Sequence, residues 1–300
     1  MKRLIAATVF CLLAVPATAE MKIALTFDDL PSHAALPAGT TRIEIAQQII
    51  AALKAANTGP VYGFTNGLRL VDDAPSTPVL QLWRDAGFPL ANHTYSHMNL
   101  NSHTLDDWSA DTLKGEDAIA PLMQGQDWHW LRFPYLAEGD TLEKHLAVRG
   151  FLAAHGYKIA AVTMSFDDWQ WNDTYARCVA KHDDATIATM ETAFLSAADG
   201  SLAYYHNLSM QLYGRDIPYV LLMHLGAFDA RMLPRLMALY QSRGVSYVSL
   251  PEAESDPFYA AQTDPRLPPT PGTLEQAMQA RGVTFPGRNA AVLPFDTLCR

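Results

Sequence analysis

Short apolar segments alternate along this chain with segments of helical periodicity, and few folds accommodate that order. Met21–Phe27, Val61–Phe64, Phe88–Ala91, Trp130–Phe133, Lys158–Phe166, Tyr219–Met223 and Val245–Leu250 read as strands. Between them, Arg42–Ala56 places Ile43, Ala46, Ile49, Ile50 and Leu53 on one helical face. Thr77-Pro78 opens a helix that Gly87 closes, and Thr141–His155 forms one stopped by Gly156. A capping-box-like Thr104-Leu105-Asp106-Asp107 starts a helix expected to continue to Met123. Ala185–Tyr213 reads as one or two helices, and Asp229–Arg243 as one closed by Gly244. Strands alternating with helices build a parallel α/β sheet with helices packed outside it. Asp28, Asp29, His93, Arg132, Asp168 and His224 fall at the C-terminal ends of these strands. In a closed β/α barrel those ends meet on one face, where such folds keep their chemistry.

The first strand illustrates what such an end implies. Ile23-Ala24-Leu25 is apolar, yet the run finishes in Asp28-Asp29, and adjacent carboxylates repel each other. A solvated turn accounts for the pair, since Asp is common in turns. A metal ion or a catalytic role would also account for it, though on this stretch alone the turn is the first reading. His93 and His97 are four apart and share a face if their segment is helical. Two imidazoles and one carboxylate form a common catalytic zinc set with positions left for water or substrate, and Asp29 is the natural third donor. Asn92 beside them is either a supporting partner or a turn residue, and His33 either lines the site or belongs to a loop.

Thr26-Phe27-Asp28-Asp29, His93–His97, Arg132-Phe133-Pro134-Tyr135, Asp168-Trp169 and Leu221-Leu222-Met223-His224 follow one another in this order. Over Met21–Leu250 the chain resembles the polysaccharide deacetylases, carbohydrate esterase family 4 with its NodB homology domain. The resemblance implies a distorted (β/α) barrel of about seven parallel strands, with the active site at their C-terminal ends. It implies metal-dependent removal of an acetyl group from an N-acetylated carbohydrate of the chitin or peptidoglycan type. Asp29, His93 and His97 would bind one divalent metal, zinc foremost, with cobalt, nickel or manganese as alternatives. Asp28 would be the general base, held by an ion pair with Arg132. His224 would be the general acid, oriented by Asp168. The backbone N–H of Tyr135 would hold the oxyanion, and Trp169 and Leu222 would line the acetyl pocket. An amide nitrogen needs a proton to leave, so an acid is required beside the base. The fourth motif of the family often begins with an acid three residues before the position of Asp168. Ser165 stands there instead, which points to a different local loop. Two other activities stay open on this scaffold: an O-acetyl esterase acting on a polysaccharide such as xylan, and carbohydrate binding without catalysis.

Residues 1–19 read as a secretory signal, with Lys2-Arg3, an apolar Leu4–Val15 and a small-residue Ala17-Thr18-Ala19. That apolar run is short for a membrane span, and no later segment is long enough. Export to the periplasm or medium, without a stable membrane anchor, is therefore expected. The formal charge is −9, and about −11 without Lys2 and Arg3, which opposes nucleic acid and suits a neutral carbohydrate partner. Cys178 and Cys299 lie beyond the signal, and an oxidising compartment favours their pairing. The catalytic domain is expected over 20–250. Pro257, Pro265, Pro268, Pro269 and Pro271 mark 251–300 as a tail packed on the barrel, with a short helix near Thr273–Arg281. Trp171–Tyr213 carries Trp171, Tyr175, Tyr204, Tyr205, His206 and Tyr213. These form either a sugar-stacking surface or a helix pair packed by ordinary aromatics.

Overall fold

The computed structural model describes residues 21–288 and 293–300, so the expected signal at 1–19 lies outside the described residues. The apolar segments form seven parallel strands: β1 (Lys22–Leu30), β2 (Tyr62–Thr65), β3 (Leu90–Asn92), β4 (Trp130–Leu131), β5 (Lys158–Ile159), β6 (Tyr219–His224) and β7 (Ser246–Tyr247). Their hydrogen-bonded order is β5-β4-β3-β2-β1-β6, with β7 pairing the start of β1 at Lys22 and Ile23. β1 has neighbours on both sides and helices over it, so it is buried from Ile23 to Leu30. Beyond β5 the chain returns to the other edge, where Met164 makes an isolated parallel bridge to Leu221 of β6. The sheet is thereby curled into a distorted β/α barrel closed by one bridge.

The helices form where the apolar periodicity places them, and their ends are capped locally. Thr41 caps Arg42–Ala55 in a full capping box with Glu44. Pro78 occupies the first turn of Pro78–Asp85. Thr141 caps Leu142–Ala154, which ends before Gly156 at φ +74°. The stretch expected as one or two helices is a single helix, Asp184–Tyr213, preceded by Trp169–Ala180. Asp183 caps it, and Ile187, Met190, Phe194, Ala198, Leu202, Tyr205 and Leu212 form its buried stripe.

Three local expectations are corrected. β1 does not stop before its carboxylates. It runs through Asp28 and Asp29 to Leu30, and a bulge against β2 absorbs one extra residue where Asp29 adopts φ +62°. The helix begun at Thr104 covers only Leu105–Gly115. Two 3-10 turns follow, Glu116–Ala118 and Ala120–Leu122, because Pro121 lacks the N–H needed to continue an α-helix. His93–His97 is not helical. Positive φ at Thr94 (+63°) and His97 (+58°) folds it into a compact loop.

After β7 the chain wraps back over the barrel through short turns and the helix Leu274–Ala280, whose Leu274, Ala277 and Met278 are buried. Tyr259 donates to the Pro218 carbonyl at 2.6 Å, and its hydroxyl also meets Thr163 Oγ1 at 2.6 Å. A disulfide joins Cys299 to Cys178 of the helix Trp169–Ala180 across 121 residues of sequence. Closing so long a loop contributes on the order of 3–5 kcal/mol in the chain-entropy model.

Candidate active site

The β1–β6 pairing places two ionisable groups side by side, because Asp28 and His224 are register partners at the C-terminal ends of their strands. Each has its own buried support. Arg132 Nη1 lies 3.2 and 3.3 Å from the two oxygens of Asp28. The guanidinium is itself fixed: Nε donates to the Ala160 carbonyl, and Nη2 to Thr26 Oγ1 and the Ala161 carbonyl. On the other side, Asp168 is fully buried and accepts from the His224 backbone N–H at 2.6 Å. Its Oδ1 lies 3.1 Å from His224 Nδ1. Burial would push the His224 imidazole down, but the charge of Asp168 and its hydrogen bond outweigh that and raise it to about 10.

Asp29, His93 and His97 meet beside this pair. Asp29 Oδ1 lies 3.7 Å from His93 Nε2 and 3.5 Å from His97 Nε2. Neighbouring donors on one tetrahedral zinc are about 3.4 Å apart, given bonds of about 2.0–2.1 Å, so the spacing fits a single ion. His93 Nδ1 lies 2.7 Å from the Arg132 carbonyl. A carbonyl only accepts, so Nδ1 carries the hydrogen and Nε2 is the nitrogen turned towards Asp29. Burial, and then the charge of His93, push His97 down to about 4, which leaves its lone pair free near neutral pH. Burial would raise the Asp29 carboxyl, but the hydrogen bond and charge of His33 and the charges of His224 and His93 hold it well below the usual range.

A second grouping, Asp29, His33 and His224, also gathers donors within 4.8 Å. It fits an ion less well, because an imidazole raised as His224 is carries protons on both nitrogens and offers no lone pair.

The loop holding both histidines is built by residues around it. Asn92 accepts from the Thr94 N–H and donates to the Thr112 carbonyl and Tyr157 hydroxyl. Asn66 donates to the His93 carbonyl, and Asp111 accepts from the Ser96 N–H. A Cβ on Gly115 would stand 2.7 Å from Asn92 Oδ1, so the helix Leu105–Gly115 approaches this loop only because that residue is glycine.

These groups open onto a cavity of about 600 Å³. Tyr135, at φ +58°, and the half-exposed Trp169 stand at its margin, and Leu222 lines it from β6. Of the six aromatic and histidine side chains noted in Trp171–Tyr213, only Tyr205 reaches it. Trp171 is instead buried, stacked at 5.8 Å on Phe228 and edge-on to Phe194.

The opposite wall comes from residues that carry no motif. Thr273, Glu275 and Arg288 of the tail line the cavity. Arg288 also binds Asp167 and the Ser165 carbonyl, and Ser201 donates to that carbonyl at 3.0 Å. The loop where Ser165 replaces an acid is thus anchored from two other elements. A second cavity of about 520 Å³ shares Phe133, Leu136, Val162 and Thr273 with the first and extends along the tail past Gln262 and Gln276. In the sequence, Thr273 and Gln276 signal only a helix start, and nothing marks Arg288.

The polysaccharide deacetylase family model matches residues 16–154. A chitin deacetylase of Arthroderma benhamiae is 28% identical over 130 residues, 43% of this chain and 32% of that protein, so the chain spans about a third of that relative's length. A chitin deacetylase from Colletotrichum lindemuthianum superposes with a TM-score of 0.52 at 19% identity, over 79% of this chain and 88% of that one. A mutant of the peptidoglycan deacetylase PdaC from Bacillus subtilis does so with a TM-score of 0.50 at 17% identity, over 80% and 93%. At such identities the structural likeness speaks for the fold. The stretch matched by the family model contains the carboxylate pair, both loop histidines and Arg132. Over residues 16–154 the chain is similar to the polysaccharide deacetylase family, and its barrel is the fold of the two solved deacetylases.

Proposed function

We propose that this cavity is the active site of an exported, metal-dependent deacetylase that releases acetate from an N-acetylated sugar of the chitin or peptidoglycan type. The observation that carries the reading is the register pair Asp28–His224, one member held by Arg132 and the other by Asp168. Carboxylate and imidazole in such opposed surroundings divide base and acid between them. Asp28 accepts a proton from the attacking water. His224, protonated through Asp168, gives one to the leaving nitrogen. The backbone N–H of Tyr135 stabilises charge on the acetyl oxygen, and one such donor is worth roughly 3 kcal/mol at the transition state. Trp169 and Leu222 enclose the methyl group.

Asp29, His93 and His97 would hold one divalent ion, with zinc the leading choice and cobalt, nickel or manganese also suited to these donors. When bound it would supply Lewis-acid polarisation of the carbonyl and of water. The substrate class rests on the names of the relatives, chitin deacetylase and peptidoglycan deacetylase. The Cys178–Cys299 disulfide supports an oxidising compartment and hence export. Among the described residues no helix is long and apolar enough to cross a membrane.

Acetate release tests this directly. Protein loaded with zinc is given N-acetylglucosamine oligomers and acetylated xylan in parallel, with a chelated control. Chelator-sensitive acetate from the glucosamine oligomers is the expected result. Acetate from xylan alone would move the reaction to ester hydrolysis, and acetate from neither would overturn the reading.

A further inference from the structure

Asp29 divides its two oxygens between different partners. Oδ1 faces His93 and His97, whereas Oδ2 lies 2.8 Å from Nδ1 of His33. That distance is an ordinary hydrogen bond and is shorter than the about 3.4 Å between two donors on one tetrahedral ion. The His33 ring is wedged in place. It packs 4.5 Å from the His224 ring, and its Nε2 lies 3.5 Å from the Trp169 carbonyl. Its backbone is equally constrained. Arg42 donates to the carbonyls of His33 and Ala34, both at 2.6 Å, and Asp173 accepts from the Ala35 N–H at 2.8 Å. A long side chain from the first helix and an acid from the helix after Trp169 therefore hold a three-residue stretch whose visible purpose is to present one imidazole to one carboxylate oxygen.

We propose that His33 is a positioning residue for the metal site: its Nδ1–H donates to Asp29 Oδ2, fixing the carboxylate so that Oδ1 alone is offered beside His93 and His97. This rests on the metal reading of Asp29, His93 and His97 and goes beyond it, because it assigns a donor outside that set. An unrestrained carboxylate rotates about its last bond and samples both oxygens. A donor on Oδ2 removes that freedom and leaves one defined ligand atom. Hydrogen bonds of this outer kind are worth about 10–100-fold in metal affinity.

The test measures zinc affinity of the full-length protein by competition with a chromophoric chelator. His33→Phe keeps a ring but has no donor, and its affinity is expected to fall about 10–100-fold. His33→Asn, whose side-chain N–H is able to donate in place of Nδ1, is expected to recover most of that loss. Wild-type affinity in His33→Phe would overturn the proposal, and so would a loss as complete as in His93→Ala, which would make His33 a ligand. A measurement on the unaltered protein guards against variants that fold poorly. In the zinc-loaded wild type, the ¹⁵N shift of His33 Nδ1 is expected to be that of a protonated, hydrogen-bonded nitrogen. A metal-bound or unprotonated Nδ1 there would overturn the assignment. Retention of zinc by His93→Ala and His97→Ala would instead show that the underlying ligand set is wrong, an outcome distinct from failure at His33 that also removes the inference built on it.

Discussion

The candidate cavity has two walls of different origin. One is the mouth of the barrel, where Asp28, Asp29, His93, Leu222 and His224 sit in or just past the last residues of strands and Trp169 opens a helix beside them. The other is the tail, where Thr273, Glu275 and Arg288 arrive from a segment that pairs with no strand. The barrel wall is made of groups whose relative positions follow from strand register, which tolerates no slippage. The tail wall is held by side-chain packing, the Tyr259 hydroxyl and one disulfide. On the proposed reading, chemistry that needs fixed geometry is kept on the first, and the second only shapes what enters.

If that contrast is correct, the largest effects belong to the barrel wall. Asp28→Asn is expected to keep its zinc while losing about 10²–10⁴-fold in kcat on N-acetylglucosamine oligomers. Near-normal turnover in that variant would break the division at its root.

Next in size is the fastening of the tail. Cys178→Ser with Cys299→Ser is expected to lower unfolding stability by about 3–5 kcal/mol in urea titrations. Zinc affinity should stay within a few-fold of wild type. A large loss of zinc would mean that the barrel wall depends on the tail for its geometry.

A smaller effect, visible mainly in the pH profile, is expected from Asp168→Asn. The acid must be protonated, so kcat/KM falls as pH rises through the His224 value, which Asp168 holds near 10. Without that charge the alkaline limb should move down towards an ordinary imidazole near 6.5. Activity relative to wild type would then drop about 10–100-fold at pH 8.5 and far less at pH 6. An unmoved limb would assign the titration to another group.

The smallest effect sharpens the role of the tail. Arg288→Ala should raise KM for the oligomers by about two- to fivefold, a fraction of a kcal/mol to 1 kcal/mol. It should leave hydrolysis of a small aryl acetate unchanged. Equal losses on both substrates would place Arg288 in the chemistry rather than in the wall.

How much of this was legible in the sequence follows the same line. Most strands and their polar ends were readable because apolar periodicity and helix end signals are local, as at Pro78 and Gly156. The exception is Asp168, expected at the end of a strand over Lys158–Phe166 but lying beyond β5, which stops at Ile159. What was not readable depended on contacts between distant segments. The bulge at Asp29 exists only against β2, and the loop His93–His97 is shaped by Asn66, Asn92 and Asp111 rather than by its own spacing. Trp171 and Tyr205 are buried and Tyr175, Tyr204 and Tyr213 partly so, because the helices Trp169–Ala180 and Asp184–Tyr213 must each bury a stripe, a requirement blind to whether a ring also suits a sugar. Arg288 carried no signal because an arginine in a proline-rich tail looks the same whether or not it has a partner.

Arg132 has a consequence beyond holding Asp28. Its Nε and Nη2 donate to the carbonyls of Ala160 and Ala161, the stretch between β5 and the single bridge at Met164 that closes the barrel. The guanidinium continues the β4–β5 contact past the last paired residues, and its planar fork allows no lysine to do the same. Loss of Asp28 would leave this buried cation without its carboxylate, while its bonds to Ala160 and Ala161 would still fasten the end of β4 to the stretch that follows β5.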